Sequence, residues 1–180
     1  MDNEEFKVVP DAIRVRTLQA VSEREIQELS DVLIDCVEGG ASVSFMLPIE
    51  RASAAAFWRG VAADVVRGGR ILLVAEQAGQ IIGTVQIIFA QAENQPHRAD
   101  IAKMLVHRRA RRLGVGAALL AAAENASLSA GKTLLVLDTA SGDAERLYAR
   151  LGWQRCGVIP GYALLPGGGL CDTTFFYRAL

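Results

Sequence analysis

A chain of 180 residues with 19 basic and 20 acidic side chains, a net charge of −1, fits a single domain over residues 1–180. That balance gives no global reason to expect nucleic acid or a membrane surface as partner, and no apolar run reaches the ~20 residues that span a bilayer. A hydrophobic share of 51% against 22% charged residues suits a folded core. The acidic opening MDNEEFK is unlike a secretory leader, so a cytoplasmic protein is expected. Cys36, Cys156 and Cys171 are scattered, and His97 and His107 lack an HExxH context; neither a disulfide framework nor a metal site is expected.

In chain order, Ala12 to Leu18 alternates as a strand, with Ile13, Val15 and Thr17 on one face and Arg14, Arg16 and Leu18 on the other. Ser22 and Glu25 have the spacing of a capping box, and Ile26, Leu29, Leu33 and Val37 keep helical spacing up to Gly39-Gly40. Pro48 suits the first position of a second helix, which runs to Arg67 before Gly68-Gly69. Arg70 to Glu76 and Gln80 to Gln91 read as a hairpin turning at Ala78-Gly79. Ala99 to Val106 is a further strand, followed by an arginine-glycine loop and a helix from Val115 to Ser129. Thr133 to Asp138 is almost wholly apolar, which predicts burial on both faces. Asp143 to Leu151 is a short helix ending at Gly152, and strands near Trp153 to Val158 and Thr173 to Arg178 close the chain, joined by Pro160 to Leu170. The expected fold is a mixed α/β sheet centred on a right-handed βαβ unit, Ile101 to Asp138.

The loop Arg108 to Gly116 concentrates four arginines in five positions directly before Gly114-Val115-Gly116. A helix starting there has free N–H groups and the positive end of its dipole at the loop. Gly114 and Gly116 would let an anion approach the backbone, and Arg111 and Arg112 would add bidentate donors. These features point to a phosphate or pyrophosphate. The rival, a nucleic-acid patch built on RRARR, lacks interleaved aromatics and a basic surrounding protein.

Arg111-Arg112-Leu113-Gly114-Val115-Gly116 resembles the [QR]-x-x-G-x-[GA] pyrophosphate loop of the GCN5-related N-acetyltransferase (GNAT) superfamily. Tyr148-Ala149-Arg150-Leu151-Gly152-Trp153 is similar to its Y-x-x-x-G-[FW] segment. A narrower similarity, carried by 39–46, Lys103-Met104-Leu105-Val106, Leu137-Asp138-Thr139 and Pro160-Gly161-Tyr162, is to its tabtoxin-resistance subgroup. The resemblance implies a mixed, mostly antiparallel sheet with a central parallel acetyl-CoA-binding unit and flanking helices. It implies acetyl-CoA as co-substrate, held by Met104, Leu105, Val106, Arg111, Arg112, Gly114, Val115, Gly116, Ala117 and Ser141. Arg108 stands where many members have proline, Arg112 where many have glycine, and Ser141 where many have asparagine.

The implied reaction is direct attack of an amine on the acetyl thioester. Backbone N–H groups near Leu105 and Val106 would meet the oxyanion, and Tyr148, whose reference pKa is about 10, would protonate the departing thiolate. Asp138 or Asp100, near low-dielectric walls, would act as base through water. Phe45 and Tyr162 would wall the acceptor pocket. The expected acceptor is a primary amine of a small molecule or amino acid, including an amino-acid-like toxin or antibiotic; the resemblance leaves a homodimer open. The alternatives are a non-catalytic acyl-CoA-binding module and a protein N-acetyltransferase.

Overall fold

The computed structural model describes residues 12–180; the acidic stretch on which the absence of a leader was read lies outside them. The elements are β1 (Arg14–Leu18), α1 (Glu23–Glu38), α2 (Arg51–Val66), β2 (Arg70–Gln77), β3 (Gln80–Phe89), β4 (Arg98–Val106), α3 (Val115–Ser129), β5 (Leu134–Thr139), α4 (Gly142–Arg150), β6 (Gln154–Leu164) and β7 (Leu170–Ala179), with one 3₁₀ turn at Arg108–Ala110. The strands form a sheet in the order β1-β2-β3-β4-β5-β7-β6. Every neighbouring pair is antiparallel except β4 and β5, the parallel pair of the expected βαβ unit.

Both faces of the N-terminal half of the sheet are covered. On one, α3 packs Val115, Leu119, Leu120 and Ala123 against Val85, Ile87, Ile101, Leu135 and Leu137. On the other, α1 and α2 pack Leu29, Val32, Leu33 and Trp58 against Leu18, Leu72, Val74 and Leu105. The start of α1 is fixed as the sequence predicts. Ser22 Oγ accepts from the Glu25 N–H at 3.3 Å, and the Glu25 carboxylate accepts from the Ser22 N–H at 2.7 Å, so two otherwise orphaned donors are satisfied.

Several boundaries differ from the pattern. Leu18, expected on the polar face of β1, is buried, while Thr17 is exposed; α1 and α2 cover the face that the alternation assigned to solvent. Pro48 precedes α2 by three residues, and Glu50 is its N-cap. In β5 only Leu135 and Leu137 are buried, whereas Asp138 is exposed: α3 covers one face, and neither α1 nor α2 packs on the other. Pro160 and Tyr162 lie within β6, not in a connecting loop, and the β6–β7 turn is confined to residues 165–169.

Two departures from regular sheet shape the centre. Parallel pairing of β4 with β5 stops at Asp100↔Val136, so among the described residues no strand is paired with the β5-facing edge of β4 beyond Asp100. Against β3, the register moves from Gln86↔Ala102 to Thr84↔Leu105, which puts a bulge at Lys103-Met104. Lys103 takes φ 47° there.

Candidate functional site

The loop between β4 and α3 is anchored from outside. The Asp35 carboxylate near the end of α1 accepts from the Arg108 backbone N–H at 2.7 Å and from its guanidinium at 2.9 Å. Arg109 donates to Gln80 at 3.1 Å, and Arg111 Nε donates to the Val106 carbonyl at 3.2 Å. Arg108 and Arg109, which a charge count would leave to steering or to solvent, are therefore anchors. Arg112 makes no hydrogen bond or ion pair among the described residues.

The remaining polar groups of the loop are donors. Gly114, N-cap of α3, sits at φ 84°, a left-handed conformation in which glycine carries no Cβ penalty. Among the described residues no backbone N–H from Arg112 to Ala117 donates to a carbonyl; the next, from Ala118, reaches Gly114 O at 3.0 Å. Six successive free donors at the positive end of a 15-residue helix suit an anion. Gly116 has a further role. A Cβ there would stand 3.0 Å from Leu147 Cδ2 and 3.6 Å from Met104 Cε, so its absence lets α3 close on α4 and on the β4 bulge. The first turn of α3, the β4 bulge and α4 thus meet at one point, beside the opening between β4 and β5.

Tyr148 follows Leu147 on α4. It is buried, with its ring 5.9 Å from Trp153 and 5.7 Å from Phe176. Its hydroxyl makes no hydrogen bond among the described residues. Burial pushes the phenol well above its ordinary range, and the negative charge of Asp138 adds to the shift. The hydroxyl therefore keeps its proton throughout the neutral range. Ser141 is the N-cap of α4: its hydroxyl oxygen accepts from the Ala144 N–H at 3.4 Å, which leaves its own hydrogen free to donate.

Asp138, at the end of β5, is exposed rather than walled by apolar side chains, and accepts from the Thr173 hydroxyl at 3.0 Å. Asp100 lies toward the other end of β4 and is ion-paired with Arg98 at 2.6 Å; no contact joins it to Tyr148 or Asp138. Met104 packs toward α3, Leu105 is buried under α1, and the Val106 carbonyl is taken by Arg111 and by the Cys36 thiol at 3.5 Å.

The two pocket-wall candidates lie on opposite banks. Phe45, in the segment between α1 and α2, meets Phe57 edge to face at 5.4 Å. Tyr162 on β6 meets Phe175 at 5.8 Å, and Phe175 pairs directly with Asp138. The banks are tied together: Ser42 Oγ donates to Leu164 O at 2.9 Å and Leu47 N to Pro166 O at 2.9 Å. Sequence reasoning missed this clasp, and it passed over Thr173, which orients Asp138. It also passed over Lys103, because a bulge leaves no mark in the alternation of a strand.

Among the described residues no group of three or more His, Cys, Asp or Glu side chains is placed to hold a metal ion. Among them, too, no helix is long and apolar enough to cross a membrane. Residues 68–155, which span the bulge, the donor loop, Asp138, Ser141 and Tyr148, match the family model of the acetyltransferase (GNAT) domain. Three solved structures share the fold. Ribosomal-protein-alanine N-acetyltransferase from Brucella melitensis is 21% identical, with TM-score 0.76, over 93% of this chain and 99% of that one. A GCN5-related N-acetyltransferase from Kribbella flavida is 19% identical, with TM-score 0.76, over 94% and 98%. The yncA protein of Salmonella typhimurium, whose structure holds its cofactor acetyl-CoA, is 18% identical, with TM-score 0.76, over 94% and 95%. The match over residues 68–155, set in a fold shared with GNAT structures, identifies an acetyltransferase (GNAT) domain in this chain, with acetyl-CoA as its acetyl donor.

Proposed function

We propose that the chain, acting as one N-acetyltransferase domain over residues 1–180, moves an acetyl group by direct transfer to the primary amine of a small molecule or amino acid. The observation that carries this reading is the convergence of the unpartnered donor row, the gap between β4 and β5, and the Tyr148 hydroxyl. When bound, acetyl-CoA supplies an activated acetyl thioester and a polyphosphate handle. The N–H groups from Arg112 to Ala117, with the Arg112 guanidinium, hold the pyrophosphate, and Arg111 lends charge beside it. The Ser141 hydroxyl donates to the cofactor from the start of α4. Backbone donors of Met104, Leu105 and Val106 line the open edge of β4.

Tyr148 gives its proton to the departing sulfur. Its raised pKa keeps that proton in place until the sulfur departs, and the same burial that raises the phenol raises the basicity of a thiolate formed beside it. Asp138 is the better placed of the two carboxylates to take the amine proton, through water, because Arg98 already engages Asp100. Phe45 and Tyr162 bound the acceptor, and the clasp between the α1–α2 segment and the β6–β7 hairpin favours a small one over a protein chain. The free thiols of Cys36, Cys156 and Cys171 accord with work in the cytoplasm.

Two measurements test the reading. Acetyl-CoA should raise the melting temperature, and a panel of small amines and amino acids should release free thiol. If acetyl-CoA binds and neither those amines nor peptides with free N-termini release thiol, the chain is a binding module. If only the peptides do, it is a protein acetyltransferase.

A further inference from the structure

Lys103 is the one element of the cleft that the reaction above leaves without a task. Its backbone sits at φ 47°, a left-handed conformation that side-chain-bearing residues rarely adopt, and it does so inside a bulge that interrupts the β3–β4 ladder. The bulge aims Lys103 away from α3, where its neighbour Met104 packs, and toward the α1–α2 side. There Nζ donates to Ser44 Oγ at 3.1 Å and lies 5.6 Å from the centre of the Phe57 ring. Ser44 itself is held at φ 76°, so both partners of this bond depart from ordinary backbone.

The ammonium is incompletely partnered. It has three donors, and Ser44 takes one. No carboxylate among the described residues lies within ion-pair distance of it. Asp138 acts on it only at longer range, and burial pushes the Lys103 pKa down more than Asp138 holds it up. Removing a charge from water without a counter-ion is unfavourable. The strained bulge thus holds a cation beside an aromatic ring, at the rim of the cleft, with two donors not taken by the protein. The opposite bank carries Asp138, the site's own anion, which is oriented by Thr173 and whose charge is felt at Lys103.

We infer that Lys103 is a specificity-determining residue that binds a carboxylate or comparable anionic group on the acceptor, while the acceptor's amine is turned toward Asp138. The inference rests on the acetyl-transfer reading and adds the charge that the acceptor must carry. The cleft is then polar at both ends with opposite sign, which selects an amine bearing its own negative group and disfavours a simple amine or a polycation.

The test is a thiol-release assay with free amino acids, each paired with its carboxamide, which keeps the amine and removes the negative charge. The wild-type chain should turn over the acids with kcat/KM at least tenfold above their amides. Lys103→Met should bring that ratio near one, and Lys103→Glu should reverse it. Lys103→Arg should retain the preference, as should Ser44→Ala, which removes the internal bond and leaves the charge. Equal use of acids and amides by the wild-type chain overturns the inference while acetyl transfer stands. So does a ratio that Lys103→Glu leaves unchanged. Absence of thiol release from every acceptor, with acetyl-CoA still raising the melting temperature, removes the transferase reading and this inference with it.

Discussion

Tyr148 and Arg112 divide the work of the site, and single substitutions separate them. Tyr148→Phe keeps the ring that packs on Trp153 and Phe176 and removes only a hydroxyl without a protein partner. Folding should be little changed, since no hydrogen bond is lost. Turnover should fall on the order of 100-fold, the scale of a lost general acid, with little change in acetyl-CoA affinity. An unaltered kcat would remove Tyr148 from the chemistry. Arg112→Glu is the complementary change. The arginine has no ion pair to lose, so the melting temperature of the free protein should hold. Acetyl-CoA affinity should drop about tenfold or more, equivalent to about 1.4 kcal/mol, as calorimetry would read. The same substitution at Arg108 would confuse the two effects, because Asp35 would lose its partner and the loop its anchor. Gly116 is confounded too: any side chain there meets Leu147 before it meets a phosphate. From sequence, Arg111 and Arg112 were paired as the phosphate contacts and Arg108 and Arg109 set aside, whereas the structure groups Arg111 with the anchored arginines. What sorts them is which ones find an acceptor elsewhere in the fold, and those acceptors, Asp35, Gln80 and the Val106 carbonyl, belong to other elements.

At the scale of elements, local chemistry was the legible part. The capping box of α1, the hairpin at Ala78-Gly79, the order of strands and helices, and the start of α3 at Val115 all follow from residues close together in the chain. So did the donor loop, because strand, glycine and helix occur there in sequence. The illegible part depended on coverage and on register. Whether a strand is buried on one face or two is decided by helices elsewhere, and β5 is covered on one face only, by α3. The stop in β4–β5 pairing at Asp100, the Lys103 bulge and the extension of β6 through Pro160 to Leu164 are properties of paired strands, and one strand alone does not carry them. α3 illustrates the division. Its sequence is apolar almost all round, so periodicity marks its ends and says little about its inner face. The structure shows Leu119 fully buried against the sheet. Leu119→Ala should therefore cost about 2–5 kcal/mol in urea denaturation, the range for a buried leucine that leaves a cavity. A cost below about 1 kcal/mol, where surface substitutions fall, would mean that α3 does not pack through that position.

For the molecule as a whole, the two cores lie on opposite faces of one sheet, and at its outer edge the sheet must hold the helical layer of α1. Arg16 does this at the β1 edge. Its guanidinium donates to Glu25 of α1 at 2.7 Å and to Glu76 of β2 at 2.6 Å, while Glu25 also completes the cap of α1. One cation therefore joins a strand, its neighbour and the helix above them. The hydrogen bond from Arg16 holds the Glu76 carboxyl below its ordinary range. A carboxyl with a depressed folded pKa contributes stability that is present above its unfolded pKa, about 4.3, and is lost as pH falls through the folded value. Arg16→Met keeps much of the apolar stem and removes that contribution. At pH 7 the variant should be less stable by about 1 kcal/mol, no more, because the pair is partly exposed and screened. As the pH falls below the unfolded value and through the lower folded one, the two proteins should converge, since the wild-type carboxyl becomes protonated and gives up the same interaction. Denaturation midpoints of both proteins at pH 7 and pH 3 measure this. A deficit of equal size at both would assign the effect to packing of the arginine stem. A deficit that closes in acid shows that charge at the edge strand holds α1 against the sheet.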